Sequence, residues 1–322
     1  MIDTLVEDIR VAAGRIAPHV RETPLVDSPA LSEATGAEIL LKLENLQHTG
    51  SFKLRGATNK LLSLSEEERR RGVVAASSGN HGAAVAFAGR RLGVPVTVFV
   101  PAGASAAKTD AIRRYGADVR EHGTDGLDTE LHARAFAADS GMPYVSPYND
   151  TAVIAGQGTI GRELRRQAKS LDAIVVSVGG GGLIAGIAAD VKAHFPSVRV
   201  VGAVPANSPV MAASIRAGEI VQTPVLPTLS DGTAGGIEPG AVTFELCQAL
   251  VDEWVEVSEA EIGNAMRHCL MIEHLLVEGS AGVAVAASIR CADGLRGARV
   301  AVVLCGANIA ADTLRDVLRV AT

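Results

Sequence analysis

Cysteine is scarce in this sequence: four residues among 322, Cys247, Cys269, Cys291 and Cys305, with no C-x-x-C spacing. Neither a disulfide framework nor a zinc site is expected, and a reducing cytoplasm fits best. Positive charge is not in excess either, since 30 Lys and Arg face 36 Asp and Glu for a formal net charge of −6. That excludes the basic footprint of a nucleic-acid binder. The N-terminal MIDTLVEDIR is acidic and amphipathic and lacks the basic end and apolar stretch of a signal peptide, so no export is expected. Only one uncharged run approaches the length of a membrane span, AIVVSVGGGGLIAGIAA between Asp172 and Asp190, and its four central glycines would cripple a helix. It is better taken as strand, loop and helix.

What the chain has is glycine, 34 residues, and a hydrophobic content of 48% against 20% charged. Glycine at about a tenth of the chain exceeds the usual level of roughly 7%, which implies many tight turns, while the hydrophobic share excludes disorder. One or two domains suit the length. Short Val- and Ile-rich runs alternate with helical patterns from about residue 72 onward, predicting an α/β fold with parallel strands. The candidate strands are residues 72–76, 95–100, 117–122, 173–178, 198–204 and 298–305. A helix near residues 3–18 and the apolar stretch EILLKLEN precede them, and LPTLSDGTAGGIEPG, 226–240, is a loop long enough to suggest function.

Four motifs carry chemistry. Gly179, Gly180, Gly181 and Gly182 follow an apolar strand and open a helix near Leu183, which places backbone N–H groups at a helix N-terminus and favours a phosphate. A plain turn needs only one or two glycines. The same stretch also matches the G-x-G-x-x-A dinucleotide pattern, so a nucleotide-binding oxidoreductase is the rival reading; but the next strand ends Ala203, Val204, Pro205, without the acidic residue that would hold a ribose. In TGSFKLRG, Ser51 is placed to cap a helix whose first turn carries Phe52 and Lys53. A lysine at the positive end of a helix dipole loses its proton more readily, which suits a Schiff-base lysine. In SSGNHG, Ser77, Ser78, Gly79, Asn80 and His81 form a second nest between strand and helix, suited to a carboxylate, with His81 as a hydrogen-bonding group rather than a general base. In VVLCGAN a buried strand ends on Cys305, beside Gly306 and Asn308.

Together, the phosphate cradle, lysine, carboxylate nest and polar strand end resemble the fold-type II pyridoxal-phosphate enzymes. KLENLQHTGSFKLRGA, SSGNHGAAVA, AVIAGQGTIG, VSVGGGGLIAG and VLCGAN are similar to the serine/threonine dehydratase (threonine ammonia-lyase) and serine racemase branch. The resemblance implies two open parallel-sheet α/β domains of the tryptophan synthase β-like class, with pyridoxal 5'-phosphate between them. Residues 1–71 and 148–322 would form the large, cofactor-binding domain, and 72–147 a small inserted domain that closes over the substrate. Lys53 would bind the cofactor covalently with Phe52 beside it, Asn80 would bond its 3-hydroxyl, and Gly179 to Gly182 with Leu183 would hold its phosphate. Cys305 would face the pyridine nitrogen. Ser77, Ser78, Gly79, Asn80 and His81 would receive the substrate carboxylate, and Ser78 stands where racemases of this branch have the acid/base serine.

The activity implied is dehydration and deamination of a 3-hydroxy amino acid such as L-threonine or L-serine to a 2-oxo acid and ammonia. Alternatives are serine racemisation and a bulkier or hydroxyectoine-derived substrate, the latter suggested by SDGTAGG and VEGSAG. A cytoplasmic homodimer in amino-acid catabolism is implied, acting on a small molecule without nucleic acid or membrane. The branch also has members with a divalent metal site, whose acidic ligands fall here on Val204 and Val210, with Ser208 between; no metal is expected.

Overall fold

The computed structural model describes residues 1–319. Nine strands lie among them: β1 (Leu25–Asp27), β2 (Glu38–Lys42), β3 (Val73–Ala76), β4 (Val96–Val100), β5 (Asp118–Glu121), β6 (Ala173–Ser177), β7 (Arg199–Pro205), β8 (Glu253–Val257) and β9 (Arg299–Val303). They form a six-stranded sheet of order β1-β2-β9-β6-β7-β8 and a three-stranded sheet of order β3-β4-β5. Every pairing is parallel except β1 with β2. The mixed α/β class read from the sequence is therefore the observed one, and all six predicted strands are present. Of the other three, β2 falls on the apolar stretch EILLKLEN, and the edge strands β1 and β8 were not foreseen.

Parallel strands bury both faces, which is why β6 and β4 are buried at every position and read as continuous apolar runs. In the larger sheet β6 leads outward to β7 and β8, and the chain then crosses back to β9 on the other side of β6. Because crossovers between parallel strands are right-handed, connections running in opposite directions from β6 place the helices Gly182–His194 and Gly279–Arg290 on opposite faces. The carboxyl ends of β6 and β9 thus meet at a point where the winding reverses, the place where open α/β sheets hold ligands.

Helices pack closely where glycine allows it. A Cβ on Gly186 would lie 2.7 Å from the backbone nitrogen of Gly158, so the helices Thr151–Gln167 and Gly182–His194 touch through bare backbone. The N-terminal helix Ile2–Ile16 lays Leu5, Ile9, Ala12 and Ile16 on this layer, one stripe at helical spacing. The smaller sheet has its own apolar core, built on Val73, Ala75, Val96 and Val98. That core is completed by Leu54, Ala57, Leu61 and Leu64, from and just beyond the helix Lys53–Ser63. Among the described residues no helix is long and apolar enough to cross a membrane.

Candidate active site

Strand ends bring the four motifs together. The segment after β9 runs antiparallel to the chain before Lys53: Ser51 bridges to Gly306, and the Phe52 N–H donates to the Cys305 carbonyl at 3.1 Å. This corrects the expected cap. Ser51 does not cap the lysine helix; Phe52 occupies the N-cap position without a side-chain hydrogen bond, and the Ser51 hydroxyl is buried with no partner. The backbone bridge takes Ser51 into extended pairing.

Lys53 opens its helix with the amine above the Phe52 ring, 5.1 Å from its centroid, and donates to the carbonyl of Pro147 at 2.7 Å. Burial lowers its pKa to about 8, against the weaker opposing pull of the Glu278 charge. The amine is thereby a usable nucleophile and base near neutral pH. Cys305 is buried, with Ser177 at the end of β6 donating to its sulfur at 3.5 Å. Burial, reinforced by the charge of Glu278, drives the thiol well above its ordinary value and keeps it neutral.

The glycine turn links β6 to the helix Gly182–His194, and Gly181 caps that helix at φ +87° without a side-chain bond. A Cβ on Gly179 would lie 2.9 Å from the backbone of Thr233, and one on Gly181 2.9 Å from the Cys247 sulfur. Only glycine fits, and the first N–H groups of the helix have no side-chain cap. Beside Gly181, within 3.1 Å of where its Cβ would be, stands Thr243, whose buried hydroxyl lacks a partner. An uncapped helix start next to an orphan hydroxyl suits a phosphate. Leu183 is buried in the first turn of that helix.

The serine nest follows β3. Ser77 Oγ accepts from the Gly79 N–H at 3.1 Å, Ser78 is half-buried, and Gly79 is the N-cap of the helix Asn80–Leu92, with no side-chain cap there either. Buried His81 meets the Val145 carbonyl through Nε2 at 2.8 Å, which requires the proton on Nε2 and leaves Nδ1 without a partner. Its pKa falls to about 3, through burial first and the Lys53 charge second, so the ring stays neutral. That geometry suits hydrogen bonding and not proton abstraction.

Two residues that sequence reasoning did not place in the site are central to it. Glu278 is 3% exposed and accepts from Asn80 Nδ2 at 2.9 and 3.0 Å and from the Asn308 N–H at 3.0 Å. Asn308 in turn donates to Asn80 Oδ1 at 2.7 Å and to the Thr49 carbonyl at 2.8 Å. The motif VVLCGAN displayed Asn308, and VEGSAG displayed Glu278, but only the fold joins them to Asn80. On the other side, Val204 and Val210 are buried apolar residues, and no cluster of three or more His, Cys, Asp or Glu suited to a metal exists among the described residues.

Residues 16–306 match the family described as pyridoxal-phosphate dependent enzyme. The chain belongs to that family. The chain is similar to an L-threonine ammonia-lyase of Thermotoga maritima, 45% identical over 94% of this chain and 75% of the relative. A putative threonine dehydratase of Sinorhizobium fredii is 40% identical over 97% of this chain and 94% of its own. Among solved structures, the processed form of threonine deaminase isoform 2 from Solanum lycopersicum superposes with a TM-score of 0.94 at 34% identity, covering 98% of this chain and 92% of that one. Maize serine racemase gives 0.91 at 32% identity, over 97% and 96%. The family's cofactor is pyridoxal 5'-phosphate, and the depressed lysine, glycine turn and neutral thiol fit its aldehyde, phosphate and pyridine ring.

Proposed function

We propose that this protein is a pyridoxal-phosphate dependent ammonia-lyase converting a 3-hydroxy amino acid, L-threonine or L-serine, to a 2-oxo acid and ammonia. The likeness to threonine ammonia-lyase and threonine deaminase supports this choice within the family. The observation that carries it is the neutral, buried Cys305 beside Lys53. A partner that gives the pyridine nitrogen no proton moderates the electron sink, so elimination competes well with slower carbanion chemistry.

Bound pyridoxal phosphate supplies that sink. Lys53 holds its aldehyde carbon, Phe52 lies beside it, and Asn80, oriented by Glu278 and Asn308, bonds its 3-hydroxyl. Gly179 to Gly182 and Leu183 hold its phosphate. Ser77, Ser78, Gly79, Asn80 and, through its backbone N–H, His81 would receive the substrate carboxylate, and the Lys53 amine would take the α-proton at Nζ. Residues 72–147 act as the small domain, closing over the substrate and excluding water. The working protein is a cytoplasmic homodimer.

The test is release of 2-oxo acid and ammonia from L-threonine and L-serine by the yellow holoprotein, unaffected by EDTA. A loaded protein inert toward both sinks the proposal. A second reading, racemisation through Ser78, is favoured by the close superposition with serine racemase; D-serine formed from L-serine and abolished by Ser78→Ala is its signature on chiral chromatography.

A further inference from the structure

Tyr148 follows the proline whose carbonyl receives Lys53, and none of the chemistry above uses it. A Cβ on Gly180 would run into its ring, and one on Gly182 would lie 3.1 Å from its Cα, so Tyr148 packs directly against the glycine turn. Its hydroxyl accepts from the Glu238 N–H at 2.9 Å, while the neighbouring Asn149 Oδ1 accepts from the Val242 N–H, also at 2.9 Å. Two consecutive side chains thus pin the end of the long loop 226–240 and the start of the helix Val242–Leu250 that follows it. The Glu238 carboxylate then reaches the other way: Oε2 pairs with Arg134 Nη2 at 2.8 Å, and Oε1 is buried without a partner. Arg134 belongs to the helix Gly126–Ser140, which packs on the three-stranded sheet. Its guanidinium is further set by Glu130 at 2.7 Å and by the Tyr144 ring, 4.4 Å from the centroid.

We infer that Tyr148 is a cofactor-retaining residue that walls the phosphate turn, and that Glu238 and Arg134 are positioning residues that hold it there from the side of the smaller sheet. This rests on the assignment of the phosphate to the glycine turn. A ring against an uncapped helix start keeps water from one side of a bound anion, which strengthens its hydrogen bonds to the N–H groups. Because Glu238 touches both Tyr148 and Arg134, the wall tightens when the smaller sheet is drawn in and loosens when it withdraws. The Arg134–Glu238 pair is partly exposed, 37% and 26%, so its share is small and screened by salt.

The experiment is the rate at which holoprotein loses pyridoxal phosphate on dilution, read from the imine absorbance, without turnover. Tyr148→Ala should speed release about tenfold, and Tyr148→Phe and Arg134→Gln about threefold each. Salt at 0.5 M, roughly three times physiological ionic strength, should speed release in the wild type and have no effect in Arg134→Gln. Release at the wild-type rate from both Tyr148 variants overturns the retaining role, even if the alanine variant melts early, because phenylalanine keeps the packing. Equal salt response in wild type and Arg134→Gln overturns the link to Arg134. Gly179→Ala, which narrows the turn without touching Tyr148, separates the two levels: unaltered cofactor affinity in that variant brings down the glycine-turn assignment itself.

Discussion

Lys53 and Arg55, two residues apart on one helix, enter two buried polar clusters built to different rules. Around Arg55, the charges cancel. Its guanidinium reaches Glu44 at 2.8 and 2.7 Å and Glu163 at 2.6 and 2.9 Å, and Lys42 donates to Glu163, the Thr23 carbonyl and Gln167. All four charged residues are at most 6% exposed, and each charged atom has a partner. Around Lys53, by contrast, Asn80, Glu278 and Asn308 bond one another, but Thr49 Oγ1, Ser51 Oγ and His81 Nδ1 are buried without partners. Folding satisfies buried polar groups wherever nothing else will. A saturated cluster is scaffold, and an unsaturated one beside it is where a ligand completes the set.

Breaking this contrast is most direct at its two cations. Lys53→Ala should lower 2-oxo acid formation at least about a thousandfold while the melting temperature holds, since the amine serves chemistry and not packing. Arg55→Met should do the reverse in kind. With Glu44 and Glu163 left to share Lys42, urea denaturation should report a loss of about 3–5 kcal/mol. The cations also differ in acidity: in cofactor-free protein, acylation of Lys53 should rise through a midpoint near pH 8, below the ordinary lysine value, because only the neutral amine reacts and burial favours it. A midpoint near that of free lysine would contradict the desolvated site. The smallest effect should be Ser51→Ala, within about 0.5 kcal/mol because it removes an unpaired hydroxyl. Thr23→Ala, which takes a donor from Glu44 at 2.5 Å, should cost about 1–3 kcal/mol by the same denaturation curve.

The legible parts of the sequence were those whose signal is local. β6 and β9 are buried on both faces and announce themselves as apolar runs, and the glycine turn and serine nest follow strand ends directly. β1 was illegible because it is three residues long, and β8 because EWVEV sits at the sheet edge with Glu253 and Glu256 three apart, which breaks any alternation. Ser51 misled because an N-cap pattern describes the chain's own neighbours, whereas its partner Gly306 arrives from the far end of the molecule. Glu278 lies 198 residues from Asn80, and Asn308 lies 228 away; no spacing rule reaches that far. The motifs that meet at the site were readable, and the bonds that join them were not.

The helix Lys53–Ser63 has a consequence for how this chain could be divided. It lies outside the segment 72–147, yet Leu54, Ala57 and Leu61 are wholly buried in the core that segment builds. Excised alone, 72–147 would expose that apolar face and behave as a sticky, incompletely folded fragment, whereas a piece beginning before Lys53 would carry its own floor. The stretch that builds this core therefore begins before the segment 72–147 proposed to close over substrate, and Lys53 sits at the seam between them.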